Sequence, residues 1–290
     1  MFPMQNKLEY FILLFFVRLT RLLGLKRVKL LARIIGDFFF FFIPIRKNIV
    51  INNLTRAFPE ENISKIKEIA RNNYRSIART FLEAFLIPVL NEEQILNKVE
   101  FSGLKELKNS IKEGKGVILL TAHFGNWELA AVAIAIKLKI RMTVLSKQQR
   151  NPFVTEWFDE MRRAHGNDVA NLGVGVRKIF TTIRRGGVVG LVADQRGPKE
   201  GMRVKLFGRA TAIYTGASEM AFKSGAAVFL VFCNRKADGK FFIHIEEFFY
   251  KDLINEKNIK EFNQRYITAL EKKIREYPEQ WFWMHNIWKY

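Results

Sequence analysis

The chain has 290 residues, with 48 Lys plus Arg against 28 Asp plus Glu, for a net charge of +20. Half of it is hydrophobic (49%) and 27 residues are Phe, which excludes disordered, collagen-like and solenoid designs and leaves enough apolar surface for a core without disulfides or metals. The charge leaves nucleic acid, an anionic membrane or an acidic macromolecule open as partner; the single Cys233, in the apolar run AAVFLVFCN, excludes an internal disulfide and a Cys-based zinc site and reads as a buried, inert thiol.

Residues 1–57 carry ten Lys/Arg and two acids, Glu9 and Asp37. Two eight-residue runs, Tyr10–Val17 and Phe38–Ile45, have no charge. A spanning helix wants about 20 apolar residues, and Arg18, Arg21, Lys26, Arg27, Lys29 and Arg33 interrupt such a window. A signal peptide fits poorly, because the apolar stretch is short and ends at Arg18 without a small-residue cleavage site. The pattern predicts a pair of interfacial helices, Phe/Leu on one side and Lys/Arg on the other, lying in an anionic leaflet. The alternative is a basic, Phe-rich helix packed on its own domain. Blocks of consecutive Phe argue against nucleic acid, whose binders interleave basic with polar residues. We therefore divide the chain into a membrane-associated helical segment, 1–47, and one domain, 48–290.

Further on, Asn62 or Ser64 caps a helix to about Phe85, with apolar residues at helical spacing from Ile66 to Phe81. From residue 116 strands and helices alternate. Strands are expected at Val117–Thr121, Ile140–Ser146, Val188–Ala193, Ala226–Cys233 and Phe241–Glu246. Helices are expected at Trp127–Leu138, Pro152–His165, Val174–Arg185, Tyr214–Ser224 and Asn258–Tyr277. Near-continuous apolar strands between helices predict an α/β fold: a single domain with a mixed central sheet flanked by helices, plus the N-terminal helical membrane anchor. Gly173-Val-Gly175 lacks the preceding strand and third glycine of a dinucleotide fingerprint.

The stretch VILLTAHFGNWEL, Val117–Leu129, carries the chemistry. A buried strand ends at Thr121, His123 follows in the exit loop, Gly125 permits a tight turn, and Asn126 caps a helix holding Glu128 in its first turn. In open α/β sheets that edge binds ligands, and the helix start offers N–H groups and a positive dipole to a developing oxyanion. A neutral His takes a proton from an alcohol, and a carboxylate partner fixes its tautomer. No Ser or Cys sits beside His123 in this segment, so direct attack by a bound hydroxyl is the natural chemistry. A capping Asn beside a structural His is the competing reading.

The segment HFGNWE, His123–Glu128, resembles the HX4D/E signature of lysophospholipid-type acyltransferases. More closely, it is similar to the bacterial lipid A biosynthesis acyltransferases, the late lauroyl and myristoyl transferases. INNLTRAFPE (Ile51–Glu60), VGLVADQRG (Val189–Gly197), VKLFGRAT (Val204–Thr211) and YPEQWFWMHNIWK (Tyr277–Lys289) extend the likeness, in order, over about residues 50–290. The resemblance implies transfer of a fatty acyl chain from acyl carrier protein to a hydroxyl of a lipid A precursor, at the cytoplasmic face of the inner membrane. Mycobacterial mannoside acyltransferases look similar too, so another glycolipid acceptor stays open. So does a lipid or thioester hydrolase, although the serine version lacks its G-x-S-x-G elbow.

On this reading His123 is the general base and Glu128 the family-matched carboxylate. Glu128 lies about 140° around an ideal helix from position 123, which itself precedes that helix, so it need not touch the imidazole; binding the sugar acceptor and holding the turn are its other roles. Asp194, at the end of VVGLVA, is a second candidate to orient His123. Residues 141–215 hold fourteen Lys/Arg against six acids, a field that suits a phosphorylated glycolipid and an acidic carrier protein. Asn126, Arg150, Gln195, Arg203 and Arg209 are the expected substrate-binding residues. The C-terminal Trp281, Trp283 and Trp288, with His285, are expected to pack. Four dispersed His show no metal-ligand spacing, and the thioester is already activated, so no metal or cofactor is expected.

Overall fold

The computed structural model describes residues 4–254 and 258–290. In chain order the helices are α1 (Met4–Phe41), α2 (Lys47–Ala57), α3 (Ile63–Ala84), α4 (Glu92–Leu96), α5 (Leu104–Lys112), α6 (Trp127–Leu138), α7 (Pro152–Arg163), α8 (Gly175–Arg184), α9 (Gly216–Ser224), α10 (Lys251–Ile254) and α11 (Ile259–Glu276). The strands are β1 (Val99–Ser102), β2 (Val117–Gly125), β3 (Met142–Ser146), β4 (Asp168–Asn171), β5 (Val188–Val192), β6 (Arg203–Leu206), β7 (Arg209–Ala212), β8 (Ala227–Arg235) and β9 (Phe241–Glu247).

Seven strands make one sheet in the order β1-β9-β8-β2-β5-β3-β4, with β6 and β7 a separate hairpin. All neighbours in the large sheet run parallel except β8 and β9. The sheet is therefore mixed and central, as expected. Both of its faces are covered, which explains the unbroken apolar runs in β2, β5 and β8. Ile118, Leu120, Ala122 and Phe124 of β2 join the core shared with α8, α9 and α11. Val117 and Leu119 join the other core, with α5, α6 and α7. Cys233 is buried in that second core, and burial pushes its thiol up to about 12.

Four short strands carried no usable sequence signal. β1 and β4 have four residues each and no long apolar run. The β6–β7 hairpin turns on Phe207 and Gly208, both with positive φ, where the usual signal is Asn-Gly or Asp-Gly.

The N-terminal segment is two helical stretches joined at a sharp kink at Gly24 (φ 66°), in keeping with the expected pair of helices. Its inward side packs on the domain: Val17, Val28, Ala32, Gly36 and Phe40 are buried. At Gly36 a Cβ would lie 2.6 Å from the Arg75 Cα of α3, so the two helices meet backbone to backbone. Asp37 binds Arg71 (2.8 Å to both nitrogens) and Arg75 (2.6 Å to both), and these guanidinium hydrogen bonds hold its carboxyl far below the usual range. The opposite side leaves Leu8, Phe11, Ile12 and Phe15, then Leu30, Ile34 and Phe38, exposed. Among the described residues no helix is long and apolar enough to cross a membrane.

Candidate active site

Strand register brings the two halves of the site together. Thr121 of β2 pairs with Val192 of β5, and two residues further along each chain stand His123 and Asp194. Asp194 Oδ1 accepts from His123 Nδ1 at 2.7 Å, and Oδ2 accepts the His123 backbone N–H at 3.0 Å. Oδ2 also accepts the indole N–H of Trp281 at 2.7 Å. One buried carboxylate thus receives three donors, all aimed at it from His123 and Trp281.

Burial alone would depress the His123 pKa, but the Asp194 charge and hydrogen bond outweigh it, with a further push from Glu128, and the net direction is up. For Asp194 burial pushes the pKa up, and His123 and Trp281 more than reverse this, so it is lowered. The two directions agree: the pair favours imidazolium and carboxylate.

β2 runs past the expected end at Thr121 to Gly125, with His123 on its irregular last part. Here the strand parts from β8, because four residues of β2 pass while two pass on the partner. Gly125 then turns the chain at φ 59°, where a Cβ would stand 1.6 Å from the Cys233 carbonyl oxygen. Only glycine satisfies both conditions. Asn126 follows and caps α6, its Oδ1 accepting from the Leu129 N–H at 3.0 Å.

The turn rests on a buried polar cluster that sequence reasoning did not single out. Glu83 of α3 accepts from Asn126 Nδ2 (3.2 Å), from Arg79 Nε (2.8 Å) and from Arg235 of β8 (2.6 and 3.3 Å). Thr80 Oγ1 donates to the Gly125 carbonyl at 2.8 Å. Asn126 is fully buried and both ends of its amide are engaged within the protein, so it supports the turn.

Glu128 does not bond His123. It forms a two-pronged pair with Arg162 of α7, at 3.0 and 2.6 Å. Arg162 also donates to Ser146 Oγ at 2.9 Å and to buried Asp159 at 3.1 Å. Of the alternatives left open for Glu128, the contact geometry favours holding α6 against α7 beside the site, with its charge acting on His123 from there. Arg162 sits in a helix of otherwise ordinary polarity, and no sequence signal marked it.

A shallow cleft opens at His123, lined by Ser76, Ile77, Thr80, Trp127, Gln280 and Phe282. The His123 ring lies 5.0 Å from Trp127 and 6.1 Å from Phe282, centroid to centroid. The cleft thus sets the apolar Ile77, Trp127 and Phe282 beside the polar Ser76, Thr80 and Gln280. Gln195, half-buried, and the arginines expected around substrate do not line this cleft. Arg150 binds Glu9 of α1 at 2.5 Å, Arg203 donates to the Lys199 carbonyl and Arg209 to that of Arg56. Arg150 lies in the loop before α7 and Arg203 and Arg209 on the β6–β7 hairpin, because the chain between residues 150 and 209 builds two helices, two sheet strands and that hairpin.

The comparisons agree with this picture. Residues 3–290 match the family "Bacterial lipid A biosynthesis acyltransferase", and the chain belongs to that family. It is 24% identical to the lipid A biosynthesis palmitoleoyltransferase of Escherichia coli K12, over 86% of this chain and 80% of that one. It is 23% identical to the lauroyltransferase of the same organism, again over 86% and 80%. To the phosphatidylinositol mannoside acyltransferase of Mycolicibacterium smegmatis it is 26% identical, over 64% of this chain and 62% of that relative's length. The coarse activity is therefore an acyltransferase of the lipid A or phosphatidylinositol mannoside type.

Proposed function

We propose that the protein moves a fatty acyl chain from an acyl-carrier-protein thioester to a hydroxyl of a phosphorylated glycolipid of the lipid A precursor class. The observation that carries the reading is His123 held by Asp194 through Nδ1, at a shallow cleft beside Trp127 and Phe282. His123 Nε2 takes the acceptor's proton as its oxygen attacks the thioester carbonyl. The new C–O bond forms a tetrahedral oxyanion, toward which the positive end of α6 contributes. Collapse breaks the C–S bond, and the imidazolium returns the proton to the leaving thiolate. Asp194 stabilises the imidazolium between these steps, and the Glu128–Arg162 pair braces α6. The fully activated donor supplies the driving force, so the reaction calls for no cofactor or metal.

The reaction takes place at the cytoplasmic face of the inner membrane. Support for this placement is the exposed Phe/Leu side of α1, interleaved with exposed Arg18, Arg21, Lys26, Arg27, Lys29 and Arg33, a combination suited to an anionic leaflet. The decisive assay incubates the protein with a carrier-protein thioester and a lipid A precursor in mixed micelles, with products read by mass spectrometry. A product heavier by one acyl chain is expected, and its loss in His123→Ala. Normal turnover by His123→Ala, or free fatty acid as the only product, would overturn the reading.

A further inference from the structure

After α11 the chain runs from Tyr277 to Tyr290 with little regular structure beyond a single turn of 3-10 helix at Pro278–Gln280. Yet Trp281, Trp283, Ile287 and Trp288 are buried. An irregular segment carried inside the protein needs partners for its carbonyl groups. Side chains of α2 and α3 provide them. Asn53 donates to the carbonyls of Trp283 (2.9 Å) and His285 (2.8 Å). Asn73 donates to those of Glu279 (2.9 Å) and Trp281 (2.6 Å). Arg46 and Arg56 reach the carbonyls of Met284 and Trp288, both at 3.1 Å, and the Arg196 side chain reaches that of Asn286. Asn53 and Arg56 belong to the block INNLTRAFPE, to which the reaction itself gives no task.

The strap so held meets the His123–Asp194 pair at two points and the nearby Arg196 at a third. The Trp281 indole donates to Asp194 Oδ2 at 2.7 Å. The Phe282 N–H donates to the His123 carbonyl at 3.0 Å. His285 Nε2 accepts the backbone N–H of Arg196, two residues after Asp194, at 3.0 Å. The Trp281 ring is itself wedged edge-on against Trp283, with centroids 4.6 Å apart.

We propose that this C-terminal strap is the positioning element of the reaction site: Trp281 aims the Asp194 carboxylate at His123, and Asn53 and Asn73 seat the strap that carries Trp281. The inference rests on His123 being the general base. A carboxylate on a single Cβ–Cγ bond turns readily, and the indole N–H, with the His123 N–H, occupies Oδ2 and keeps Oδ1 on Nδ1. The same indole bond withdraws electron density from the carboxylate and restrains its pull on the imidazolium proton. Without it the His123 N–H still holds Oδ2 and keeps the carboxylate within reach of Nδ1, now unshared with the indole, so the imidazolium is stabilised further and the neutral base that the reaction needs is present only at higher pH. The other charged or titratable groups facing the pair are Glu128 from α6, Arg162 from α7, Tyr266 from α11, Arg196 beyond β5 and His285 of the strap. All of them remain when Trp281 is changed.

Trp281→Phe keeps the ring packing and removes the N–H. Acyl transfer is followed against pH for the wild type, Trp281→Phe, Asp194→Asn and the double variant, above the background set by His123→Ala. In Trp281→Phe, kcat is expected to fall about tenfold with KM unchanged, and the acid limb to rise by roughly one pH unit. Adding Trp281→Phe to Asp194→Asn is expected to cost no more than about twofold, because Trp281 works through that carboxylate. A wild-type kcat and acid limb in Trp281→Phe would overturn the proposal. So would a loss that multiplies undiminished on the Asp194→Asn background, since that marks a merely structural effect. If Trp281→Phe fails to fold, Asn73→Ala at the seat must show the same upward acid limb, and a wild-type profile there is equally fatal. Normal turnover in His123→Ala would instead remove the base on which the inference stands.

Discussion

Glu83→Leu removes the carboxylate beneath the active-site turn, and the structure fixes what is left behind. Glu83 and Arg235 side chains are 7% and 6% exposed, and their closest contact is 2.6 Å. Deleting the acid strands the guanidinium of Arg235 in the protein and frees the Asn126 amide that it anchored. Breaking one partner of a buried pair costs about 3–5 kcal/mol, because the surviving charge stays desolvated. For a chain of this size 1 kcal/mol is worth roughly 2 °C or slightly more, so the melting temperature should fall by about 6–10 °C. Circular dichroism melts and denaturant titrations measure the loss, and initial rates well below both transitions separate folding from catalysis. Glu83→Leu should also lower kcat, since Asn126 and Gly125 direct the chain out of His123. Adding Arg235→Met removes the more deeply buried of the two guanidinium groups that Glu83 pairs with and should recover part of the stability, Arg79 still lacking its partner. A single variant that loses less than about 1 kcal/mol, or a double variant no more stable than the single, would refute the reasoning.

Gly125→Ala should yield an inactive and poorly folded protein by circular dichroism, because the added Cβ meets the Cys233 carbonyl oxygen at 1.6 Å and the residue holds a positive φ. The pH dependence of kcat/KM should show an acid limb above the ordinary His value of about 6.5, since the base must be neutral and the net shift at His123 is upward; a limb well below 6.5 would contradict it. Glu128→Gln should move that limb down, opposite to Trp281→Phe, because the Glu128 charge helps to hold the His123 pKa up. Asp37→Asn should cost about 1 kcal/mol at neutral pH in a denaturant titration, a figure kept small by the partial exposure of its arginines. The Asp37 contribution is present above the unfolded carboxylate pKa of about 4 and fades as pH falls toward the depressed folded value.

The large elements were legible because burial on both faces of a parallel sheet writes itself as apolar runs. VILLT, VVGLVA and AAVFLVFC needed no further information, and Asn126 with Trp127 marked a helix start. β1, β4 and the β6–β7 hairpin escaped because four-residue strands on edges or in a side hairpin bury too little to leave a pattern. Within α1, Leu and Phe occur on both sides, so composition alone did not reveal that Val17, Val28, Ala32 and Gly36 face the domain. The residues that brace the site from beneath, Glu83, Arg162 and Arg235, were invisible for a different reason. Each looks ordinary in its own segment, and each reaches the site through a partner at least 34 positions away.

Sequence by itself determined the alternating α/β grammar, the need for glycine at 125 after His123, and the pairing of a basic, Phe-rich amino terminus with an apolar domain. All of these are local properties, set by periodicity, backbone freedom and charge along the chain. Tertiary structure alone decided which carboxylate serves His123. Glu128 is five residues away and bonds Arg162, whereas Asp194 is 71 residues away and bonds the imidazole, because β5 lies beside β2 in a register that sets 194 against 123. Strand adjacency carries no signature in the linear chain. It follows from how helices fill both faces of the sheet, and with it came the strap that presents Trp281 to the site.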